Sequence, residues 1–274
     1  MSSTLLLADT HCHLQDPKIA ARADRAVAEA AEAGVRFLLV CGYDEDSSVG
    51  AIRLAERHET VYAAVGVHPH DARSFTSDTL RLLEELAAHP KCVAIGEIGL
   101  DFYRNLSRRP EQERALEAQL ELAATLGLPV SVHSRAAERE ILAPLSRYAA
   151  AANALRAQER PVGVMHCFGG TLEEARPYVE IGFVISIACP ITYPKNERTR
   201  RLARHLPLEA LVVETDAPYL PPQEQRGQVN TPANVRRAAE EIARVRGVSF
   251  ADVARVTTDT AMRVFALRAG VGSR

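Results

Sequence analysis

The feature that most constrains the fold is a repeated alternation between short apolar runs and longer segments with helical periodicity. The runs are apolar almost throughout, which is typical of parallel strands that are covered on both faces. Eight of them are candidate strands: Leu5–Ala8, Val35–Cys41, Val61–Val67, Cys92–Glu97, Pro129–His133, Val162–His166, Phe183–Ile187 and Leu211–Glu214.

The segments between the strands are rich in Ala, Glu, Arg and Leu, which favours amphipathic helices. Gly34, Gly127 and Gly182 each follow such a segment, at the position where a helix commonly ends. The tail from Ser249 to Ala269 predicts two further helices, with Ser249 as an N-cap. The clearest helical segments are Ile19–Ala33, Leu80–His89, Pro110–Leu126, Ala136–Ala151 and Leu172–Glu180.

Chain length agrees with this pattern. The 274 residues give about 34 for each of eight strand–helix units, close to the roughly 30 of one βαβ unit. We therefore expect an α/β fold, a single (β/α)8 TIM barrel with extra C-terminal helices, formed as one domain by residues 1–274. An open doubly wound sheet is the alternative, but the first strand is not followed by a glycine-rich phosphate-binding loop.

Composition narrows the functional classes. A formal net charge of −2 argues against a protein that coats duplex nucleic acid. The five cysteines are widely spaced and form no C-x-x-C pair, which is typical of reduced, cytoplasmic proteins. No run approaches the roughly 20 apolar residues of a membrane span, and no N-terminal targeting pattern is present. Nothing in the sequence indicates an obligate protein partner.

Potential ligands collect where the predicted strands end. Because the carboxyl ends of barrel strands meet at one mouth, these side chains should face one another. His11 and His13 have i, i+2 spacing, which points both rings to the same side of an extended strand. The predicted metal ligands are His11, His13, Glu97, His133, His166 and Asp216.

Six nitrogen and oxygen donors exceed what one catalytic zinc takes, so we expect two divalent ions. The donor types suit Zn, Mn, Mg, Fe or Co and leave the metal open. Glu97 is the expected bridge, because it ends a central strand with ligands on both sides of it in sequence. Asp216, on the last strand, can accept a proton from a metal-acidified water, which predicts hydrolysis.

These motifs, taken in order, resemble the TatD-type metal-dependent deoxyribonucleases of the amidohydrolase superfamily. The resemblance runs from residue 9 to about residue 265 and rests on Asp9–Leu14, Gly66–His70, Gly96–Asp101, His133–Arg135, His166–Gly169 and Glu214–Leu220. It implies a (β/α)8 barrel with the same six ligands and divalent-metal-dependent DNA hydrolysis, often 3′ to 5′ from a strand end. Gln15 followed by Asp16, and Thr260-Ala261, depart from the family's usual residues without touching a ligand position.

Substrate residues are assigned on the same positions. His68 matches the family motif on a strand apart from the ligand strands, and we predict that it contacts a phosphate oxygen or the leaving group. Arg104 and Arg135 follow strands four and five and could hold a phosphate. The run Arg198–Arg204 is interpreted as a charged helix face, and Cys12 and Cys167 as packing residues. Aromatic residues that could stack a base are Phe102, Tyr103, Phe168 and Tyr219.

Three functions remain open from the sequence. The first is hydrolysis of phosphodiesters, with DNA strand ends or a small phosphodiester as substrate and Asp216, Glu97 and His68 as the catalytic residues. The second is a binuclear amidohydrolase acting on a C–N or C–O bond of a small cyclic amide or lactone. Many of those enzymes bridge their metals with a carboxylated lysine, so Glu97 favours the nuclease. The third is a metal-binding scaffold without turnover.

Overall fold

The computed structural model describes residues 6–267. All eight predicted strands are present, and each is hydrogen-bonded in parallel to the next along the chain. The first begins at Leu7 and runs further than expected, through the motif that carries His11, while Leu5 lies outside the described residues. The strands are β1 (Leu7–Cys12), β2 (Val35–Cys41), β3 (Val61–Val65), β4 (Cys92–Asp101), β5 (Val130–Arg135), β6 (Gly163–Met165), β7 (Phe183–Ile187) and β8 (Leu211–Val213).

The ends of β1 and β8 meet and bring the sheet to a nearly closed barrel. Cys12 and Ala217 form a parallel bridge, and the Asp216 amide donates to the His11 carbonyl at 2.9 Å. The Asp9 carboxyl accepts from the Thr215 amide at 2.9 Å and from its hydroxyl at 2.6 Å. Burial raises the pKa of Asp9 to about 8, against the lowering effect of these Thr215 bonds. The predicted (β/α)8 architecture is confirmed.

Ten α-helices are present in the described part of the chain, and most of them lie between strands. Two expectations were wrong. Residues 136–141 form a bend and turns after β5, so the predicted Ala136–Ala151 helix begins only at Leu142, and Ser249 caps one helix rather than two. Residues 268 and 269 of that tail lie outside the described range. The helices are α1 (Ala23–Glu32), α2 (Glu45–Arg57), α3 (Ser77–Ala87), α4 (Arg109–Leu126), α5 (Leu142–Ala151), α6 (Asn153–Ala157), α7 (Leu172–Glu180), α8 (Glu197–His205), α9 (Val235–Arg246) and α10 (Phe250–Val264).

The core has two parts because successive strand side chains point to opposite faces of the sheet. On β2, Phe37, Leu39 and Cys41 belong to the cluster inside the barrel, and the intervening side chains pack towards the helices. The end of α10 reaches the inner cluster, where Phe265 stacks on Phe37 with ring centroids 5.4 Å apart. The amino ends of the strands are thereby closed with apolar side chains, and the polar residues collect at the carboxyl ends.

Two buried glutamines of α4 fix the loops at that carboxyl end. Gln119 accepts from the Val67 amide at 2.7 Å and donates to the Val67 carbonyl at 3.2 Å, just before His68. Gln112 accepts from the Asp101 amide at 2.8 Å and donates to the Ser107 carbonyl at 2.8 Å. These bonds pair backbone groups that burial would otherwise leave without water or a ladder partner. Through these two side chains α4 positions the loop that follows β3 and the carboxyl end of β4 with its loop.

Replacing Gln119 with leucine should lower the free energy of unfolding by about 2 kcal/mol, because Val67 loses partners for both its amide and its carbonyl. Urea unfolding monitored by circular dichroism measures the effect, with exposed Gln228→Leu as the control. A Gln119→Leu midpoint equal to that of the control would contradict this role.

Candidate metal centre

The structure brings all six predicted ligands to the carboxyl end of the barrel. His11 lies within β1, Glu97 within β4 and His133 within β5, while His166 directly follows β6. His13 and Asp216 follow β1 and β8 at the point where those strands meet. Gly99 permits the close pairing of β4 with β5, because a Cβ there would collide with the His133 carbonyl. Residues more than 200 positions apart in sequence thus form one cluster.

Glu97 lies at the centre of this cluster, and its two oxygens face different histidines. Oε2 is 3.3 Å from His11 Nε2 and 3.4 Å from His13 Nε2. Oε1 is 3.1 Å from His133 Nδ1 and 3.6 Å from His166 Nε2. One carboxylate can therefore serve two neighbouring groups of donors at once, which is the geometry required of a bridge.

Asp216 borders both groups. Its Oδ1 is 3.4 Å from His13 Nε2 and 4.0 Å from His166 Nε2. The residue has a positive φ of 56°, which aspartate and asparagine tolerate better than most residues. Its side chain is 14% exposed, whereas that of Glu97 is 5% exposed. Asp216 is therefore the carboxylate of the pair that has more access to water.

The donors fit divalent cations by type and by spacing. Three overlapping sets of three potential ligands can be drawn from this cluster. Within each set the donor atoms lie within 4.8 Å of one another, and all of them are imidazole nitrogens or carboxylate oxygens. Such donors suit zinc, manganese, iron, cobalt or magnesium better than thiolate-preferring ions. The sets are His11, Glu97 and His166; His11, His13 and Asp216; and His68, Glu97 and His133.

Electrostatics keeps the two carboxylates ionised. Burial opposes ionisation of Glu97, but the imidazoles of His68, His11 and His166 together hold its pKa well below its usual value. Burial likewise opposes ionisation of Asp216, and His13 and His166 lower its pKa. Imidazole nitrogens bind metal only when deprotonated, so cations and protons compete for this site.

Outer contacts orient the histidine rings. His13 Nδ1 is 2.8 Å from the Cys41 carbonyl, which requires a proton on Nδ1 and leaves Nε2 free to coordinate. His11 Nδ1 is 3.1 Å from Ser131 Oγ. His166 Nδ1 is 2.9 Å from the buried carboxylate of Glu214, and this partner raises the pKa of His166 to about 10 against the lowering effect of burial. Each Nε2 consequently points into the centre.

Replacing Glu214 with glutamine should lower metal affinity by about 10- to 100-fold, since the neutral amide no longer increases the basicity of the His166 ring. The change keeps an acceptor for the Cys167 amide, which donates to Glu214 Oε1 at 2.7 Å. Competition with a chelating dye measures the affinity, and Glu209→Gln, on the exposed turn before β8, is the matched control. Equal affinities in the two variants would exclude this role for Glu214.

Sequence reasoning gave Ser131, Glu214 and Asp101 no role. Glu214 and Asp101 both occur in the strand-end motifs, and their position there was the available signal. Asp101 Oδ2 is 2.8 Å from His70 Nε2 and 3.4 Å from His133 Nε2, so it helps to fix the His133 ring. Ser131 offered no signal, because its contact with His11 depends on the pairing of distant strands.

Of the three predicted substrate residues, His68 lies in the donor cluster, whereas Arg135 and Arg104 are exposed. His68, expected to lie apart from the ligands, has its Nε2 only 3.5 Å from Glu97 Oε1 and belongs to one of the donor groups. Arg135 is exposed at the mouth, with its guanidinium 4.1 Å from the ring centroid of Tyr103. Arg104 is also exposed, and its backbone amide donates to Asp101 Oδ1 at 2.7 Å.

A cavity of about 670 Å³, here called the mouth cavity, opens beside His133, His166 and Asp216. Within the described range of the chain its lining includes Arg135 and Tyr219 but not Arg104. Cys167 also lines it, so the prediction that Cys167 is a packing residue was wrong; Cys12 is buried in the core as expected. The prediction assumed that Cys167 lies on a strand, where alternate side chains face opposite sides. Because β6 ends at Met165, that alternation does not apply to residue 167.

Of the four aromatic residues predicted to stack a base, two are covered by other side chains and two are exposed. Phe168 is buried against Tyr178, with ring centroids 5.7 Å apart, and cannot stack a base. Phe102 is half-buried beneath Arg109. Tyr103 is 69% exposed and Tyr219 is 38% exposed, which leaves these two available to a ligand.

Comparisons with known proteins agree with this geometry. The family described as TatD related DNase matches residues 8–266. A 3′-5′ ssDNA/RNA exonuclease TatD of Escherichia coli (strain K12) is 36% identical over 264 residues, covering 94% of this chain and 98% of that protein. The uncharacterized metal-dependent hydrolase YabD of Bacillus subtilis (strain 168) is 33% identical over 260 residues, covering 95% of this chain and 99% of that protein.

Solved structures give the same result. The crystal structure of a TatD homologue from Escherichia coli K12, YjjV, superimposes with a TM-score of 0.86 at 31% identity, covering 96% of this chain and 98% of that one. None of the described helices combines the length and the apolar character needed to cross a bilayer. The Bacillus subtilis relative is named a metal-dependent hydrolase, and the present barrel carries a cluster of imidazole and carboxylate donors. The chain belongs to the TatD related DNase family and is a hydrolase that acts on ester bonds.

Proposed function

We propose that this enzyme is a two-metal phosphodiesterase that removes nucleotides from the 3′ end of single-stranded DNA. The observation that carries the proposal is the division of donors about Glu97, whose Oε2 faces His11 and His13 while its Oε1 faces His133 and His166. A relative at 36% identity is named a 3′-5′ ssDNA/RNA exonuclease, which supports the choice of substrate.

In this proposal His11, His13 and Asp216 would hold one ion, His133 and His166 would hold the other, and both would share Glu97. Two bound divalent ions supply positive charge next to the phosphate and lower the pKa of water towards neutrality. The two ionised carboxylates would cancel two of the four positive charges and the neutral imidazoles none, so the occupied site would keep a net positive charge. It can therefore attract a polyanion although the chain itself has a net charge of −2.

Asp216 is the proposed general base. It is ionised, borders both donor groups and is more accessible to water than Glu97, so it can accept the proton of the attacking water. His68 lies on the Oε1 side of Glu97, within reach of a phosphate oxygen or of the leaving oxygen. Arg135 lines the mouth cavity and can pair with a neighbouring phosphate. Arg104 is retained as a weaker candidate for the same task.

The test is an assay of the metal-loaded protein on single-stranded DNA labelled at its 5′ end, run beside a panel of cyclic amides and lactones. The proposal predicts a ladder of products shortened one nucleotide at a time from the 3′ end. Turnover of the amides or lactones alone would overturn it in favour of the amidohydrolase alternative, and internal cleavage alone would overturn the exonuclease assignment.

We also infer that the enzyme acts in the cytoplasm. All five cysteines are free, four of them are buried and Cys167 is partly buried, and burial raises the pKa of each thiol. Free buried thiols are typical of proteins in a reducing compartment.

A further inference from the structure

Three cavities that begin at the metal centre are joined in series by shared lining residues. The mouth cavity shares Cys167, Gly169 and Arg198 with a second cavity of about 370 Å³. The second shares Lys195 and Asn196 with a third of about 500 Å³. The second and third cavities, here called the side groove, follow the segment between β7 and α8 and end at Arg226.

The mouth cavity and the side groove differ in charge. The lining of the mouth cavity carries both signs, the carboxylates of Glu138 and Glu174 and the guanidinium groups of Arg135 and Arg198. The side groove is lined by three exposed cations, Lys195, Arg198 and Arg226, and none of its lining residues, all within the described range, is acidic. The phosphates of a strand therefore meet charges of both signs in the mouth cavity and only cations in the side groove.

The floor of the side groove is built before any ligand arrives. Arg200 is buried, and its guanidinium donates to the carbonyls of Ile191 at 3.0 Å, Tyr193 at 2.7 Å and Pro194 at 2.8 Å. Asn196 donates to the Pro190 carbonyl at 3.0 Å. These bonds hold the segment in one shape, so binding along it costs little ordering of the protein.

We propose that the side groove binds the body of the single-stranded substrate, on the 5′ side of the scissile phosphate. This rests on the proposed exonuclease function. The 3′-terminal nucleoside carries no phosphate beyond the scissile one, so it can lie beside Glu138 and Glu174. The rest of the strand carries one negative charge per nucleotide and needs the cations of the side groove.

This placement fixes the products. Hydrolysis joins the water oxygen to phosphorus and breaks the P–O3′ bond. One water proton goes to O3′ and the other to the new phosphate or to solvent. A 5′-mononucleotide then leaves from the mouth cavity, while the shortened strand, ending in a 3′-hydroxyl, remains in the side groove.

The experiment compares the dinucleotide TpT with an oligothymidylate of about twelve nucleotides, a length within the range that single-strand-binding grooves occupy. Lys195→Ala/Arg226→Ala removes two exposed cations that lie outside the proposed catalytic residues. Arg53→Ala/Arg263→Ala removes two exposed arginines that do not line the groove and is the matched control. Lys195→Glu/Arg226→Glu reverses the charges, and thermal unfolding of each variant checks that it is folded.

Wild type and control should cleave the oligothymidylate with a higher kcat/KM than TpT. The alanine pair should lose about tenfold on the oligothymidylate, more when the charges are reversed, and keep the wild-type rate on TpT. The slope of log affinity against log salt for the oligothymidylate should decrease by about 1.4, the contribution of two single-strand phosphate contacts.

Equal losses on TpT and the oligothymidylate, or no loss on either, would overturn the side-groove proposal while leaving the exonuclease proposal intact. If the wild-type enzyme cleaves neither substrate, the exonuclease proposal itself fails. The two results are therefore distinguishable in one set of assays.

Discussion

Asp216→Asn should lower kcat on single-stranded DNA by a hundredfold or more while the barrel stays folded. The amide has nearly the shape of the carboxylate but cannot accept the proton of water at neutral pH. Asparagine also tolerates the positive φ of 56° at this position, so the backbone between β8 and β1 is preserved. Single-turnover assays with saturating metal measure the loss apart from weakened binding.

The matched control is Asp259→Asn, on the exposed face of α10, which should retain wild-type turnover. Metal content must be determined for both variants, because Asp216 is also proposed as a ligand. A slow variant that still binds two ions supports the role as base. Wild-type turnover in Asp216→Asn would refute it.

Glu97→Ala should have a larger effect, a loss of activity of at least a thousandfold, together with a fall in bound metal from two ions to one or none. Both oxygens of Glu97 contact donors of different groups, so its removal separates the two sites. A lost ion removes several kcal/mol of charge stabilisation from the transition state, and each 1.4 kcal/mol is about tenfold in rate.

Glu97→Gln distinguishes the bridge from a single ligand, since the amide keeps one oxygen but carries no charge. We expect Glu97→Gln to bind one ion and to be inactive, like Glu97→Ala. Exposed Glu121→Gln on α4 is the control. Two tightly bound ions in Glu97→Ala, measured by elemental analysis after gel filtration, would contradict the bridging role.

The sequence predicted that the six proposed ligand side chains come together, because two regular features of the sequence place them. Alternating strands and helices require the strand ends to meet, and the i, i+2 spacing of His11 and His13 turns both rings inward. The ends of the strands were predicted less well where they depend on pairing with a neighbouring strand. β4 extends to Asp101 because it pairs with β5 through His133 and Arg135, a register that depends on residues more than thirty positions away.

The supporting residues could not be predicted, for a related reason. Gln119 acts on Val67, which is 52 positions earlier, and His11 contacts Ser131, which is 120 positions later. Contacts between residues so far apart in the chain produce no recognisable pattern in the sequence around either residue. Cys167 departs from the alternation rule because β6 has already ended. That residues 1–274 form one domain stays a prediction.

The most direct test of the two-metal account is a titration of the chelator-treated enzyme with Mn²⁺, followed in parallel by calorimetry and by cleavage of single-stranded DNA. The account predicts two ions bound per chain and activity that rises mainly with the second equivalent. Full activity at one equivalent, or cleavage by the metal-free protein, would contradict it.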